Sequence, residues 1–157
     1  MKHTIQALVE NRFGVLARVA SLFSARGYNI DSLAVGETQD STISCVTIIV
    51  NAEDERILEQ IKKQLHKLID VITVIDFTRK EYVDRELVLV KMAKKKVSKE
   101  VIGKIVKKYA AKLVEENQKC YILEVCTQRH DIEEMLKELN KIGIEELVRT
   151  GKVAIGK

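Results

Sequence analysis

Aromatic side chains are scarce in this 157-residue chain: they make up 4% of it, and tryptophan is absent. The hydrophobic cores must therefore be built from isoleucine, leucine and valine, and a hydrophobic content of 46% is enough for them. No apolar run approaches the ~20 residues that a membrane-spanning helix needs, so no membrane association is predicted. The 32% of charged residues, combined with that hydrophobic content, indicates a folded protein rather than a disordered one.

Cysteine and histidine are also few, and occur three times each, as Cys45, Cys120, Cys126, His3, His66 and His130. The cysteines form no Cys-x-x-Cys pair, and the apolar runs around Cys45 and Cys126 predict small buried thiols. The histidines lie far apart and have no metal-ligand spacing, so surface or helix-cap positions are expected for all three. No metal site is predicted.

The sequence shows no recognisable catalytic set. It has no glycine-rich phosphate loop, no serine or cysteine nucleophile with a matching histidine, and no carboxylate pair in an interpretable context. The protein is therefore predicted not to be an enzyme and to carry no cofactor of its own. The first residues lead into a strand pattern without a secretory n-region or h-region, and the cytoplasm is the expected compartment.

The charge distribution divides the chain near Lys80. Residues 1–80 carry 10 basic and 10 acidic side chains, whereas residues 81–157 carry 17 basic and 13 acidic ones. The second half therefore holds the whole net charge of +4. From this asymmetry we predict two domains, residues 1–80 and residues 81–157.

Hydrophobic periodicity predicts the order βαββαβ in the first domain. An apolar run over residues 5–9 suits a strand, and helical spacing from Val15 to Phe23 follows it until Gly27 ends the helix. Further strands are predicted over residues 30–37, 42–50 and 71–77. A second helix is predicted to begin at Glu53-Asp54-Glu55 and to bury the stripe Ile57, Leu58, Ile61, Leu65, Leu68 and Ile69.

The second domain is predicted to repeat this order. Its expected strands are residues 86–92, 112–116, 120–127 and 144–149, its helices are 98–109 and 131–140, and a short strand over 152–155 follows. The order βαββαβ is the split βαβ or ferredoxin-like arrangement, in which two helices cover one face of an antiparallel sheet. The fold class is therefore α+β with two tandem ferredoxin-like domains. The other sheet face needs a cover, so dimerisation or a domain contact is expected.

A basic stretch opens the second domain, and only Glu100 opposes its lysines within it. These are Lys91, Lys94, Lys95, Lys96, Lys99, Lys104, Lys107, Lys108 and Lys112. They indicate either an electropositive patch for nucleic acid or an acidic partner, or a solvated loop and helix face, which we favour. RNA-binding sheets of this topology need exposed strand aromatics that stack on bases, and the chain lacks such a pair. No nucleic-acid partner is predicted.

The turn at residues 11–14 lies at a helix N-terminus. Unpaired backbone N–H groups and the helix dipole favour an anion such as a carboxylate there, and Gly14 lets a ligand approach the backbone closely. The alternative is that Asn11 only caps the helix and Gly14 only makes a turn. From the residues alone this alternative is favoured, because caps greatly outnumber binding sites.

Longer motifs surround this turn. They are Glu10-Asn11-x-x-Gly14-x-Leu16-x-Arg18-Val19 and Leu22-Phe23-Ser24-x-Arg26-Gly27-Tyr28-Asn29-Ile30-Asp31-Ser32-Leu33, with Val83-Asp-Arg85-Glu86-Leu87 and Glu146-x-x-Arg149-Thr150-Gly151 in the second half. Through them the chain resembles acetolactate synthase (acetohydroxyacid synthase) small subunits, whose N-terminal domain is an ACT domain. The resemblance runs from end to end, with a poorer match between residues 94 and 142.

The resemblance implies a non-catalytic regulatory subunit in branched-chain amino acid biosynthesis. The effector would be valine, or leucine or isoleucine, bound between the ACT domains of a homodimer for feedback inhibition. Residues 81–157 would contact and activate the large catalytic subunit. That subunit would hold the thiamine diphosphate, magnesium and FAD of the complex. A stand-alone amino-acid sensor and, less favoured, a nucleic-acid-binding module are the alternatives.

The resemblance also implies the effector-binding residues. They are Asn11, Gly14, Val15, Leu16, Asn29, Ile30 and Val35. Asn11, Gly14 and nearby amides of one chain would hold the effector carboxylate. Asn29 and Ile30 of the other chain would hold its ammonium group and flank its side chain, while Leu16 and Val35 would supply apolar lining.

Overall fold

Two antiparallel sheets, each packed against two helices, make up the computed structural model, which describes residues 1–52 and 54–157. The chain divides into a first unit, Met1–Val83 with Lys152–Lys157, and a second unit, Asp84–Gly151. The last six residues, which the sequence analysis assigned to the second domain, group with the first unit. The functional division at residue 80 stays a prediction. In the described part of the chain, no helix is long and apolar enough to cross a membrane.

The first unit has the predicted order of elements. They are β1 (Lys2–Glu10), α1 (Val15–Ala25), β2 (Ile30–Glu37), β3 (Ile43–Asn51), α2 (Glu55–Leu65) and β4 (Val71–Asp76). The sheet order is β2-β3-β1-β4, and the neighbouring strands are antiparallel. Alternation along β3 places Val46, Ile48 and Val50 in the core beneath the two helices.

The second unit repeats this topology. Its elements are β5 (Tyr82–Ala93, beginning in the first unit), α3 (Lys99–Tyr109), β6 (Lys112–Glu116), β7 (Cys120–Thr127), α4 (Arg129–Ile142) and β8 (Ile144–Arg149). The order β6-β7-β5-β8 corresponds strand for strand to that of the first sheet. The predicted α+β class with two ferredoxin-like domains is therefore confirmed.

Helix α2 shows where local signals succeed. Asp54 precedes the helix, and its Oδ1 accepts a hydrogen bond from the Ile57 N–H at 2.9 Å, which satisfies one of the unpaired donors of the first turn. The helix accordingly begins at Glu55. Glu53, which we also expected in this first turn, lies outside the described residues.

The C-terminal end of α2 corrects one prediction. The helix buries Leu58, Ile61 and Leu65, as expected, but it ends at Leu65. The chain then continues in turns to Asp70, so helical spacing no longer determines which side chains face the core. Ile69, which was predicted to belong to the buried stripe, is 95% exposed.

Two further predictions of burial are wrong. Cys126 is exposed, because its strand neighbour Val125 faces the core and alternation turns Cys126 to the other side. His3, expected at the surface or at a helix cap, is buried, and its Nδ1 lies 3.0 Å from the Thr78 hydroxyl. Cys45 is half-buried, and burial raises the pKa of its thiol.

The sheet face opposite the helices in the first unit is covered in part by the chain's last residues. They form a short strand, β9 (Val153–Gly156), which pairs with β5. The Gln6 amide donates to the Ala154 carbonyl at 2.8 Å, and the Lys152 N–H donates to the Ser32 hydroxyl at 3.2 Å. These bonds attach the segment to strands β1 and β2.

A buried ion pair joins two strands of the second unit. Glu86 on β5 accepts two hydrogen bonds from the Arg149 guanidinium on β8, at 2.7 and 2.9 Å. The Glu86 side chain is only 3% exposed, whereas that of Arg149 is 27% exposed. The hydrogen bonds to Glu86 raise the pKa of Arg149. The pair therefore holds its charges in a largely dry position.

A second charged cluster lies at the end of β4. Burial raises the pKa of Asp76, but two hydrogen bonds from Thr78, at 2.6 and 2.8 Å, and the charge of Lys62 outweigh this effect. The pKa of Asp76 therefore lies below its ordinary value. The ionised carboxylate is the form that the fold stabilises.

Candidate functional site

The loop between β1 and α1 is fixed by its backbone. The Glu10 N–H donates to the Asp70 carbonyl at 2.8 Å, and the Asn11 N–H donates to the Thr42 carbonyl at 2.7 Å. Gly14 then takes a φ of +82°, a conformation that costs an L-residue with a Cβ more than it costs glycine, and α1 begins at the next residue. The loop thus fixes the position of the first turn of α1.

The N-terminus of α1 has features that suit an anion. Among the described residues no side chain caps it, and its first turn contains no acidic residue. By contrast, α2 is capped by Asp54 and α3 by Ser98, and α4, which also has no side-chain cap among the described residues, has Asp131 in its first turn. The Val15 N–H donates to the Arg12 carbonyl at 3.4 Å. The other N–H groups of the first turn and the positive end of the helix dipole therefore suit an incoming carboxylate.

Asn11 does not cap α1, so the interpretation favoured from the residues alone is wrong on this point. Its side-chain amide instead donates to Glu37 Oε1 at 3.1 Å and to the Ser41 carbonyl at 2.8 Å. Both amide hydrogens are therefore engaged within the chain. They tie the end of β1 to the β2–β3 turn, and donors to an effector carboxylate would have to come from the backbone around Gly14.

Asn29 is arranged differently. Its side-chain amide donates to Asp31 Oδ1 at 2.7 Å, and Asp31 also forms an ion pair with Lys2 at 3.1 Å. This hydrogen bond directs one amide hydrogen to Asp31 and fixes the side-chain oxygen of Asn29 as an acceptor beside it. An acceptor oxygen beside a carboxylate suits an ammonium group.

The predicted effector residues form two groups at opposite ends of β2. Asn11 is hydrogen-bonded to Glu37, the last residue of the strand, whereas Asn29 directly precedes its first residue, Ile30. Eight strand steps separate Asn29 from Glu37, a span of about 26 Å at 3.3 Å per residue. One amino acid cannot touch both groups within a single chain.

The remaining predicted residues differ in how accessible they are. Val15 is buried in the core, so only its backbone faces the loop. Leu16 and Val35 are 44% and 46% exposed, and their side chains are open to a ligand or a partner chain. Val35 lies near the Asn11 end of β2, because it is two residues from Glu37.

Sequence reasoning missed the acidic partners of this region. Glu37 accepts a hydrogen bond from Asn11, and Asp70 pairs with the Arg18 side chain at 2.7 Å. In each case the acidic residue is distant in sequence from the residue that it contacts. No local pattern points to either contact. Asp31 is different, since it lies two residues after Asn29 within the quoted motif, and an Asx side chain at that spacing was a usable signal.

Five of the nine lysines of the basic stretch form ion pairs. These ion pairs are Lys91–Glu146, Lys94–Glu116, Lys99–Glu116, Lys108–Glu138 and Lys112–Glu124, with N–O distances of 2.6 to 3.8 Å. All of these acids are distant in sequence from their lysines. The arrangement favours the solvated-face interpretation over a nucleic-acid patch. Within residues 1–52 and 54–157, no group of three or more His, Cys, Asp or Glu side chains is placed to hold a metal ion.

Two family models match the chain. Residues 5–73 match the model described as an AHAS small subunit-like ACT domain, and residues 85–157 match the model described as the small subunit of acetolactate synthase. The probable acetolactate synthase small subunit of Archaeoglobus fulgidus is 41% identical, over 99% of this chain and 96% of its own length. The acetolactate synthase small subunit of Bacillus subtilis is 37% identical, over 100% of this chain and 91% of its own length.

A solved structure agrees with these relatives. The crystal structure of the acetolactate synthase small subunit from Thermotoga maritima superposes with a TM-score of 0.88 at 32% identity. The match covers 100% of this chain and 98% of that one. The resemblance stated from the motifs is therefore confirmed along the whole chain, and the first unit is an ACT domain. This chain belongs to the acetolactate synthase small-subunit family.

Proposed function

We propose that this protein is the regulatory subunit of an acetolactate synthase, and that it binds valine between the ACT domains of two copies. The observation that carries the proposal is the separation of the two predicted half-sites along β2. Because about 26 Å of strand lies between Asn29 and Glu37, where Asn11 is bound, a small zwitterion can bridge the half-sites only between chains.

The two half-sites are complementary to an amino acid. One offers the uncapped N–H groups of α1 after Gly14, which suit a carboxylate. The other offers the Asn29 carbonyl oxygen beside Asp31, which suits an ammonium group. The exposed Leu16 and Val35 add apolar surface for a branched side chain. Valine, leucine and isoleucine all carry these three features.

Regulation follows from a site shared between two chains. An effector that binds only when both half-sites are apposed stabilises one arrangement of the dimer and therefore has the differential affinity that allostery requires. Coupling of ~1–3 kcal/mol is ordinary for such systems. The second domain would anchor and activate the large catalytic subunit in the cytoplasm. In this proposal that subunit holds the thiamine diphosphate, magnesium and FAD.

The test is a calorimetric titration of the full chain with L-valine, with D-valine and L-leucine as controls. We expect saturable binding of L-valine, and about tenfold weaker binding by Asn29→Ala, because a hydrogen bond to a charged group contributes about 1.5 kcal/mol. In the enzyme reconstituted with its catalytic subunit, the same variant should relieve valine inhibition and leave activation intact.

Two outcomes would contradict the proposal. If Asn29→Ala leaves inhibition by valine unchanged, the assignment of the ammonium half-site is wrong. If valine binds but no catalytic subunit is activated by the wild-type chain, the protein is a stand-alone amino-acid sensor rather than a regulatory subunit.

A further inference from the structure

Two large apolar side chains project fully into solvent at one end of the ACT domain. Phe13, in the β1–α1 loop, is 103% exposed, and Ile69, in the turn after α2, is 95% exposed. Neither side chain has a packing role within the chain at these exposures. Isolated exposed apolar residues are common on protein surfaces, so their significance depends on whether the two lie together.

Hydrogen bonds show that the two loops are neighbours. The Glu10 N–H donates to the Asp70 carbonyl at 2.8 Å, and Arg18 Nε donates to Asp70 Oδ2 at 2.7 Å. In addition, Gly14 and Leu68, the chain neighbours of Phe13 and Ile69, line the same shallow groove. Phe13 and Ile69 therefore belong to one surface, the loop-tip patch.

Three basic side chains, Arg12, Arg18 and Lys67, lie at the edge of the loop-tip patch. Arg12 pairs with Glu10 and Arg18 pairs with Asp70, but the cations are the outer partners of these pairs. Arg12 is 72% exposed against 35% for Glu10, and Arg18 is 47% exposed against 9% for Asp70. Lys67 is exposed beside Leu68. The surface that a partner meets is therefore apolar at its centre and basic at its rim.

This charge pattern disfavours a second copy as the occupant. In a two-fold contact through the same patch, the basic rim of one copy would face the basic rim of the other, and like charges would be brought together. An occupant with an apolar socket and acidic rim residues would satisfy both features.

We infer that the loop-tip patch is a docking surface for the catalytic subunit, which would present an apolar socket rimmed by carboxylates. The inference rests on the proposed function and adds to it a contact made by the ACT domain itself. Phe13 directly precedes Gly14, so the effector-binding amides and the docking side chain lie on one short loop. Effector binding at the loop is thereby coupled to the fit of the partner.

The test uses the full-length chain with its own catalytic subunit. Phe13→Ser and Ile69→Ser are compared with Ile155→Ser, a control that removes an exposed apolar side chain elsewhere in the first unit. We expect each patch variant to raise the half-activating concentration of small subunit by about tenfold or more, as for a buried interface anchor. The control should match wild type, and higher salt should weaken association further.

Valine calorimetry and sedimentation of the small subunit alone separate the possible results. Valine affinity and oligomeric state that match wild type, together with weakened activation, support the inference. Activation that matches wild type in both patch variants overturns it and leaves the proposed function standing. A loss of dimer in the patch variants would instead identify a contact between copies and overturn the inference. Failure of the wild-type chain to activate any catalytic subunit refutes the proposed function itself.

Discussion

A negative charge at residue 14 should block the carboxylate half-site, and a neutral residue of the same shape should not. We therefore compare Gly14→Asp with Gly14→Asn. Both replace a glycine whose φ is +82°, and both are expected to lower the free energy of unfolding by about 1 kcal/mol, because asparagine and aspartate tolerate this conformation better than most residues. The difference between the two variants then isolates the charge.

The size of the charge effect follows from the surroundings of Gly14. Two carboxylates about 5 Å apart repel by about 3 kcal/mol at the effective dielectric constant of ~20 near a protein surface. Arg18 Nη1 lies 3.0 Å from the position of an added Cβ, and its charge offsets part of this repulsion. Because Arg18 already pairs with Asp70, we take about half, or about 1.5 kcal/mol, which is about tenfold in affinity.

Calorimetric titration with L-valine measures this effect, and thermal unfolding of each variant shows that the fold is retained. Gly14→Asp should bind valine about tenfold more weakly than Gly14→Asn at low ionic strength. This difference in valine affinity should become smaller as salt is added. Equal valine affinities for the two variants would refute the carboxylate assignment, because they differ only in charge at that position.

Three other predictions concern stability. Glu86→Gln should lower the free energy of unfolding by about 2 kcal/mol in urea, since Arg149 stays partly buried, whereas Glu81→Gln, at an exposed pair, should match wild type. Asp54→Ala should remove about 1 kcal/mol by uncapping α2. The lowered pKa of Asp76 stabilises the fold above the ordinary value of 3.8 and ceases to do so as the pH falls through the folded-state pKa. Asp76→Asn should therefore be less stable at pH 7, by under about 1 kcal/mol, with a difference that shrinks in acid.

Local patterns were sufficient for most of the fold. The bounds of β2, β6, β7 and β8 agree with the predicted runs, because alternation and flanking turns are properties of neighbouring residues. Ser98 and Gly143 mark the limits of α3 and α4 for the same reason: a cap and a positive φ act on the residue beside them.

The failures share a different physical origin. Helical periodicity predicted that Ile69 belongs to the buried stripe of α2, although the helix ends before it. No local signal showed that α2 stops at Leu65. The lysines of the basic stretch looked unopposed because their acidic partners lie on other strands and helices. Asn11 likewise appeared to be a cap, while its partners, Glu37 and Ser41, approach only through the sheet. Contacts between residues distant in sequence were not predictable from short windows.

The same limit applied to the candidate site. The motifs around Asn11 and Asn29 identified the candidate effector-binding residues. Their positions at opposite ends of β2, however, depend on strand register. Nothing in the sequence distinguishes Phe13 as a surface residue, since full exposure of a side chain is visible only in the folded chain.

The return of Lys152–Lys157 to the first unit has a consequence for folding during translation. The N-terminal unit of a protein commonly folds first as it leaves the ribosome. Here the hydrogen-bond partners of Gln6 and Ser32 are synthesised only after the whole of the second unit. The nascent ACT domain must therefore keep an uncovered sheet face until the second unit has been synthesised. A fragment truncated after Lys80 would retain that exposed face permanently, and aggregation is its expected failure.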